Sequence, residues 1–279
     1  MSLAFPLFEA HELDFGRLRI LRRNGGRLLL PVAPCLLKLT DRVALVDAGF
    51  DPGLAERVEG VEWQRPERDL HRQLADMGLT PDDVGDVVLT HLHDDHASGV
   101  FDRVREAPVF PNARLHLQGL ALWQGLDRVA RGGERFVSEA LLDWLGSWPL
   151  TVLHHGDWRL CDELQVCHTG GHTPGHQIAL AGGGTIERRP APDGDDVLAY
   201  GAADGDMARA GDDLLLGGDL LSLKACFEPA FRTSSDVEPE RALARRRQLA
   251  SAVARGLTCY LYHGAPGRRF WRPGFLGLS

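Results

Sequence analysis

Three histidines and two aspartates fall within six residues of this chain, in the string HLHDDH. His91, His93, Asp95 and His96 are the residues whose types could bind a metal. Imidazole rings this close together repel one another once they are protonated, and the packing of a core does not require them. Imidazole nitrogen and carboxylate oxygen suit zinc and related divalent transition metals. The string therefore predicts a metal site.

A second group of histidines lies in a segment that is rich in glycine and contains proline. His168, His172 and His176 belong to the string CHTGGHTPGH, whose small residues allow the backbone to come close to a bound ion. Half of the twelve histidines of the chain therefore lie in two short segments that suit a metal.

Short apolar runs of strand length lead into polar residues at four places, and rigid strands of this kind can hold reactive groups in a fixed geometry. The four pairs of run and residue are 43–46 with Asp47, 87–89 with His91, 214–216 with Asp219, and 257–262 with His263. Between them, the apolar spacing predicts helices over 66–78 and 236–255, the second with Asp236 as its capping residue. The alternation of predicted strands and helices along the chain predicts an α/β layered domain.

The segment 182–213 differs in composition from the rest of the chain. It is rich in glycine and aspartate, contains Pro190 and Pro192, and shows little apolar periodicity. We expect it to be a surface insertion, and whether it is a lid over a site or an insertion without a role stays open.

In these motifs the chain resembles the metallo-β-lactamase fold superfamily of metal-dependent hydrolases. The matching elements run in the family's order over about residues 28–265: LVDAG at 45–49, HxHxDH at 91–96, GHTPGH at 171–176, LLLGGD ending at Asp219, and the late His263. The resemblance implies an α/β fold, a four-layer αββα sandwich with the metal site at one edge of the two central sheets. It also implies one domain over 1–279, built from halves of about 1–145 and 146–279.

The same resemblance implies a centre for two divalent metal ions, with Zn²⁺ expected and Mn or Fe as alternatives. In the family pattern the ligands divide into His91, His93 and His172 for the first ion, Asp95, His96 and His263 for the second, and Asp219 as the bridge. The nucleophile would be a hydroxide that bridges the metals. Asp95 would orient this hydroxide or carry a proton to the leaving group, which makes it the expected catalytic residue.

Several residues next to these ligands receive expectations of their own. Asp47 is expected to hydrogen-bond a ligand histidine, and His176 to support the ligands from behind. Asp94 is expected to be a solvated neighbour rather than a ligand. Ser222, three residues after the bridging aspartate, is a candidate substrate contact because lactonases of the superfamily commonly carry tyrosine there.

A basic run also lies on the predicted late helix. It comprises Arg241, Arg245, Arg246 and Arg247, and we expect it to form a solvated face of that helix rather than a surface for nucleic acid.

The motifs also narrow the choice among branches of the superfamily. His93 stands where the diiron flavoproteins usually place glutamate, and Asp219 stands where one class of true metallo-β-lactamases uses cysteine, so both functions are disfavoured. The motif spacing and the string FPNA at 110–113 are similar to the N-acyl homoserine lactonases, although Ser222 departs from them. The stretch 234–247 instead resembles the methyl-parathion-hydrolase-like branch, which cleaves phosphotriesters and often esters or lactones.

The predicted function is therefore hydrolysis of a small-molecule ester, lactone or phosphoester bond at a dinuclear metal centre. Two alternatives stay open: a glyoxalase II-like thioester hydrolase, and a catalytically silent protein that binds metal or senses a ligand.

Composition and charge limit the partners and the compartment. With 31 basic and 39 acidic residues the chain carries a formal net charge of −8, which disfavours nucleic acid and anionic membranes as partners. The five cysteines show no CxxC spacing, which is typical of reduced thiols. No apolar run approaches the roughly 20 residues of a membrane span, and the first residues lack a secretory signal pattern. We expect a cytoplasmic enzyme with a small-molecule substrate, and a homodimer stays open.

Overall fold

The computed structural model describes residues 2–21, 26–55, 61–131, 137, 139–190, 196–205 and 207–272 of the 279-residue chain. The strands in the first part are β1 Ser2–Ala4, β2 Glu9–Glu12, β3 Arg17–Leu21, β4 Arg27–Pro31, β5 Cys35–Lys38, β6 Val43–Val46, β7 Val61–Gln64, β8 Asp86–Val88, β9 Phe101–Asp102, β10 Ala107–Pro108, β11 Arg114–Gln118 and β12 Thr151–His154. The later strands are β13 Trp158–Cys161, β14 Leu164–His168, β15 Gln177–Ala181, β16 Thr185–Pro190, β17 Asp196–Gly201, β18 Leu214–Leu216, β19 Thr258–Tyr260 and β20 Phe270–Trp271. The helices are α1 Pro52–Ala55, α2 Leu70–Ala75, α3 Asp94–Ala97, α4 Gly119–Ala130, α5 Glu139–Ser147 and α6 Pro239–Ala254.

Two large sheets form the centre of the molecule. Within the described residues, the first has the strand order β1-β2-β5-β6-β8-β11-β12 and the second has the order β13-β14-β15-β18-β19-β20. A smaller sheet, β4-β3-β7, and the hairpins β9-β10 and β16-β17 accompany them. The first sheet is antiparallel from β1 to β6 and parallel from β6 to β12.

The four-layer arrangement follows from alternation of side chains along the central strands, because successive residues of a strand face opposite sides of its sheet. Leu37 of β5 and Leu216 of β18 belong to one buried cluster between the two sheets. Their neighbours point outwards: Leu36 packs in the cluster with Leu74 of α2, and Leu215 packs in the cluster that includes α6. The predicted αββα sandwich is confirmed.

All four strands predicted to end in functional residues are present as β6, β8, β18 and β19. β6 and β8 are parallel neighbours in the first sheet, and β18 and β19 are parallel neighbours in the second. Because the carboxyl ends of parallel strands meet at one edge of a sheet, Asp47 approaches the segment of His91, and Asp219 approaches His263.

The predicted helices are present but shorter than their patterns. α2 covers Leu70–Ala75 of the predicted 66–78, with Asp69 capping it by accepting a hydrogen bond from the Arg72 amide. α6 covers Pro239–Ala254, and its N-cap is Glu238 rather than the predicted Asp236.

The segment 182–213 contains more structure than its composition indicates. Its strands β16 and β17 form an antiparallel hairpin. Ile186, Leu198 and Tyr200 of this hairpin are buried in the core cluster shared with α6. In its described residues the segment is therefore a packed hairpin next to α6, and three widely spaced apolar residues were too weak a pattern to predict it.

None of the helices described by the structure has the length and apolar character needed to cross a membrane.

Candidate metal centre

The structure brings the predicted ligands together as two adjoining groups at the edge of the sheets. The first group contains His91, His93, His172 and Asp219, and the second contains Asp95, His96 and His263. Within each group the candidate ligand atoms all lie within 4.8 Å of one another. These seven residues come from four separate segments of the chain, so the tertiary fold assembles the site.

Asp219, a member of the first group, lies between the histidines of the two groups and directs one carboxylate oxygen at each set. Its Oδ2 atom is 3.4 Å from Nε2 of His172, in the first group. Its Oδ1 atom is 3.1 Å from Nε2 of His96 and 3.2 Å from Nε2 of His263, in the second group. A carboxylate in this position can contact two metal ions at once.

Asp47 holds His96 from behind. The Nδ1 atom of His96 lies 2.8 Å from Oδ2 of Asp47, and the carboxylate also accepts hydrogen bonds from the backbone amide of Thr90 at 2.7 Å and from its hydroxyl at 3.0 Å. With Nδ1 donating its proton to Asp47, the Nε2 atom faces the centre. The geometry agrees with the hydrogen bond predicted for Asp47.

Thr90 links Asp47 to His91, a role that no sequence motif predicted. Its hydroxyl oxygen lies 3.0 Å from Nδ1 of His91 while it donates to Asp47. The hydroxyl therefore accepts the Nδ1 proton of His91 and orients Nε2 of that ring toward the first group.

Asp236 orients His172 in the same way, although its position before α6 predicted that it would cap that helix. Instead of capping α6, its Oδ1 atom accepts a hydrogen bond from Nδ1 of His172 at 3.1 Å. The guanidinium of Arg246 holds the same carboxylate with bonds of 2.7 and 2.8 Å. A local sequence pattern could not distinguish these roles, because His172 is 64 residues away along the chain.

His263 is fixed by the backbone. Its Nδ1 donates to the carbonyl oxygen of Pro31 at 2.7 Å, and its amide donates to the carbonyl oxygen of Ser222 at 3.0 Å. The candidate substrate contact Ser222 is itself only 5% exposed. Tyr262 stacks on the ring of His96 and donates its hydroxyl proton to the carbonyl oxygen of Asp95 at 2.6 Å. No sequence motif predicted this role for Tyr262.

His176 and Asp94 lie close to the ligands in the sequence. The ring of His176 lies against His91 and His172, with centroid distances of 5.4 and 5.7 Å, and its Nδ1 lies 2.7 Å from the Thr169 hydroxyl. Asp94 is buried in the first turn of α3, so the expectation that it would be solvated was wrong.

The basic run on α6 is not a solvated face. Arg245 and Arg246 are buried, whereas Arg241 and Arg247 are exposed. Arg245 donates to the carbonyl oxygen of Thr169 and to Asp196 of β17. The expectation failed because both guanidinium groups find buried acceptors on other elements, which the spacing along the helix does not reveal.

The electrostatics of the metal-free site differ between the two groups. Burial, together with the neighbouring histidines, holds the pKa of His91 well below its usual value and lowers the pKa of His93 to about 3. Burial opposes the charged form of His96 and of His263, but the neighbouring carboxylates, Asp219 foremost, outweigh burial and raise the pKa of both rings. The rings of His91 and His93 are therefore neutral near pH 7 and ready to coordinate a metal ion.

The residues present fit divalent metal ions. Nε2 of His96 and Oδ1 of Asp219 are buried and lie 3.1 Å apart, yet neither atom makes a hydrogen bond of acceptable geometry with any described residue. Such orphaned polar atoms are costly inside a protein unless a cation satisfies them. Imidazole nitrogens and carboxylate oxygens are the donor set expected for zinc and similar ions.

A cavity opens beside the first group. Its walls include Leu92, His93, Ala121 and Gly125, with Thr173, Gln124 and Arg128 as further polar members. The Thr173 hydroxyl is buried and has no partner in the described part of the chain.

A family model described as the metallo-beta-lactamase superfamily matches residues 30–186, which is more than half of the chain. The chain belongs to the metallo-beta-lactamase superfamily. The matched range contains the HxHxDH string and His172, whereas Asp219, Asp236 and His263 follow it.

Two N-acyl homoserine lactonases are similar to this chain over part of their length. An N-acyl homoserine lactonase from a Bacillus species is 30% identical over 179 residues, which is 60% of this chain and 65% of that protein. The lactonase AiiA from Bacillus thuringiensis subsp. kurstaki is 31% identical over 59% of this chain and 64% of its own length. The alignments thus span somewhat less than two thirds of either relative.

Solved structures share the fold over nearly the whole chain. A probable metal-dependent hydrolase from Staphylococcus aureus has a TM-score of 0.69 at 18% identity and covers 94% of this chain and 91% of its own. AidC, a dizinc quorum-quenching lactonase, has a TM-score of 0.69 at 17% identity, with 99% of this chain and 95% of its own covered. At these identities the likeness concerns the fold.

Proposed function

We propose that the protein is a dinuclear metal-dependent hydrolase of small-molecule esters, with lactones as the first class to test and phosphoesters as the second. The observation that carries this proposal is the position of Asp219, whose two carboxylate oxygens face two separate groups of histidines. One carboxylate between two ligand groups is suited to a pair of ions, preferably Zn²⁺.

The metals, once bound, supply a water of lowered pKa and polarise a carbonyl or phosphoryl oxygen. The chain contributes the orientation: hydrogen bonds to Asp47, Thr90, Asp236 and Pro31 fix the ligand rings. Water that enters next to Asp95 finds an acceptor in Oδ2, which is 3.5 Å from Nε2 of His263. Asp95 takes the proton of the attacking water and returns it to the leaving oxygen.

Two observations support an ester or lactone as the substrate. The curated relatives reported above are N-acyl homoserine lactonases. The cavity beside His93 combines the apolar side chains of Leu92, Ala121 and Val137 with the polar side chains of Thr173, Gln124 and Arg128. This mixture suits a substrate that joins an apolar group to a polar one.

A substrate panel tests the proposal. Protein reloaded with zinc, manganese or iron is given N-acyl homoserine lactones, simple γ-lactones, aryl esters, a phosphotriester and a thioester. Ring opening of a lactone releases one proton per turnover, so a pH indicator follows the reaction directly. We expect turnover of the lactones or esters with the loaded protein and none after chelation.

Other outcomes identify the alternatives. Turnover of the thioester alone would indicate a glyoxalase II-like enzyme. A protein that binds two metal ions but turns over no member of the panel would contradict the proposed hydrolase and favour a sensor.

A further inference from the structure

Arg246 is a fully buried cation in the middle of α6, with only 1% of its surface exposed. Burying a charge is costly unless the charge is paired and its donors are satisfied. An apolar residue of similar volume would fill the same space without that cost. The partners of the Arg246 guanidinium therefore indicate why a cation occupies this position.

One side of the guanidinium leads to the first group of ligands. Nη1 and Nη2 of Arg246 bind the two oxygens of Asp236 at 2.7 and 2.8 Å, in a bidentate pair. Oδ1 of Asp236 accepts the Nδ1 proton of His172 at 3.1 Å. With both its oxygens held in one plane, Asp236 fixes the plane and tautomer of that ring.

The other side of the guanidinium leads to the bridging carboxylate. Nε of Arg246 donates to the carbonyl oxygen of Leu220 at 3.0 Å, and Nη2 lies 3.4 Å from the carbonyl oxygen of Asp219. Both carbonyls belong to the 3₁₀ turn Gly218–Leu220 that carries the Asp219 side chain. The ring of Phe231 lies 5.5 Å from the guanidinium carbon, on its face.

We propose that Arg246 is a positioning residue that couples the two ligand segments, setting His172 through Asp236 and Asp219 through the carbonyls of its turn. The inference rests on the metal centre proposed above and on no particular substrate. Lysine cannot reproduce this role, because an ammonium lacks the planar fork that binds a carboxylate and two carbonyls at once.

Zinc binding by the full chain tests the inference. Metal-free wild type, Arg246→Lys, Asp236→Asn and the double variant are titrated with Zn²⁺ against a chromophoric chelator. We expect each single variant to bind zinc about 10- to 100-fold more weakly, the usual effect of losing a group that orients a metal ligand. Because Arg246 acts partly through Asp236, the loss in the double variant should be smaller than the product of the single losses.

Arg247→Lys is the matched control. It makes the same change at the adjacent position of α6, where the side chain is exposed, and it should leave zinc affinity unchanged. The absorption spectrum of the Co²⁺-substituted protein is a second readout: the ligand-field bands should shift in Arg246→Lys and stay as in wild type in Arg247→Lys.

Several results would overturn the inference. A purely structural role predicts that Arg246→Lys lowers the melting temperature of the metal-free and zinc-loaded forms equally, with wild-type zinc affinity and cobalt spectrum. If the loss of zinc affinity in the double variant equals the product of the two single losses, Arg246 does not act through Asp236. If Arg246→Lys does not fold, the Asp236→Asn variant decides the question. Wild-type zinc affinity in that variant would overturn the inference. A wild type that binds no zinc overturns both this inference and the proposed function, whereas zinc binding without turnover counts against the function alone.

Discussion

Asp47 and His96 lie 49 residues apart in the chain, yet Oδ2 of Asp47 is 2.8 Å from Nδ1 of His96. Asp47 has a positive φ of 60°, a conformation that aspartate and asparagine tolerate better than most residues. The turn after β6 therefore directs a carboxylate back under the neighbouring parallel strand. This one contact joins the end of β6 to the second group of ligands.

Asp47→Asn should keep the turn but weaken the centre. Asparagine tolerates the left-handed backbone and still accepts from the Thr90 amide, but it loses the charge that complements His96. We expect about 10- to 100-fold weaker zinc binding and a loss of about 1–3 kcal/mol in the free energy of unfolding. Chelator competition and urea unfolding measure the two effects. Asp41→Asn, at an exposed aspartate that pairs with Arg42, is the control, and equal effects in both variants would contradict the role of Asp47.

Asp219→Ala should lose metal and activity together. The carboxylate of Asp219 faces the histidines of both groups, so its removal takes a shared anionic ligand from both. The variant should therefore lack bound metal and activity, as wild type does after treatment with a chelator. Metal content per chain after gel filtration, measured beside the rate on the preferred substrate, checks this. A variant that keeps two tightly bound metal ions would refute the bridging assignment.

Gly175→Ala should disturb the loop that carries His172 and His176. A Cβ atom at Gly175 would overlap the backbone of Ala121 at the start of α4, so the loop or the helix must move. We expect a cost of about 1–3 kcal/mol in unfolding free energy, together with weaker zinc binding. Gly146→Ala, on the exposed side of α5 with no described heavy atom within 4 Å of the added carbon, should be neutral or stabilise by up to about 1 kcal/mol. Unchanged zinc affinity in Gly175→Ala would show that the loop tolerates the shift.

The link between the β16–β17 hairpin and α6 should depend on pH. Partial burial raises the pKa of Asp196, but hydrogen bonds from Arg245 and Arg188 outweigh it and lower the pKa to about 2. A folded pKa below the unfolded value of about 3.9 stabilises the native state above that value, and the stabilisation is lost as the pH falls toward 2.

Asp196→Asn therefore tests this link. It should lower the free energy of unfolding by about 1 kcal/mol at pH 7, after discounting for the partly exposed side chain. The difference from wild type should shrink as the pH falls from about 4 to about 2. Urea unfolding across this range measures it, and a difference that stays constant with pH would rule out the charge of Asp196 as the cause.

Residue types and local order were enough to predict much of this protein. The apolar runs that end at Asp47, His91, Asp219 and His263 predicted strands that the structure contains. The strings around His91 and His172 predicted a metal site. The order of these motifs also indicated the family, through their resemblance to its pattern, whereas the cluster of imidazoles by itself indicated only a metal. Alternating apolar residues in the central strands carry the information for two sheets with helices outside.

The tertiary structure decided which groups hold the ligands in place. Asp236 has the sequence signature of a helix cap, and Arg246 has that of a surface cation, yet the two form a buried pair behind His172. Thr90 and the carbonyl of Pro31 show no signal in the sequence, since any residue offers a backbone oxygen. These partners lie on different elements, and only the packing of α6 and the two sheets brings them within hydrogen-bond distance, where burial makes each contact strong.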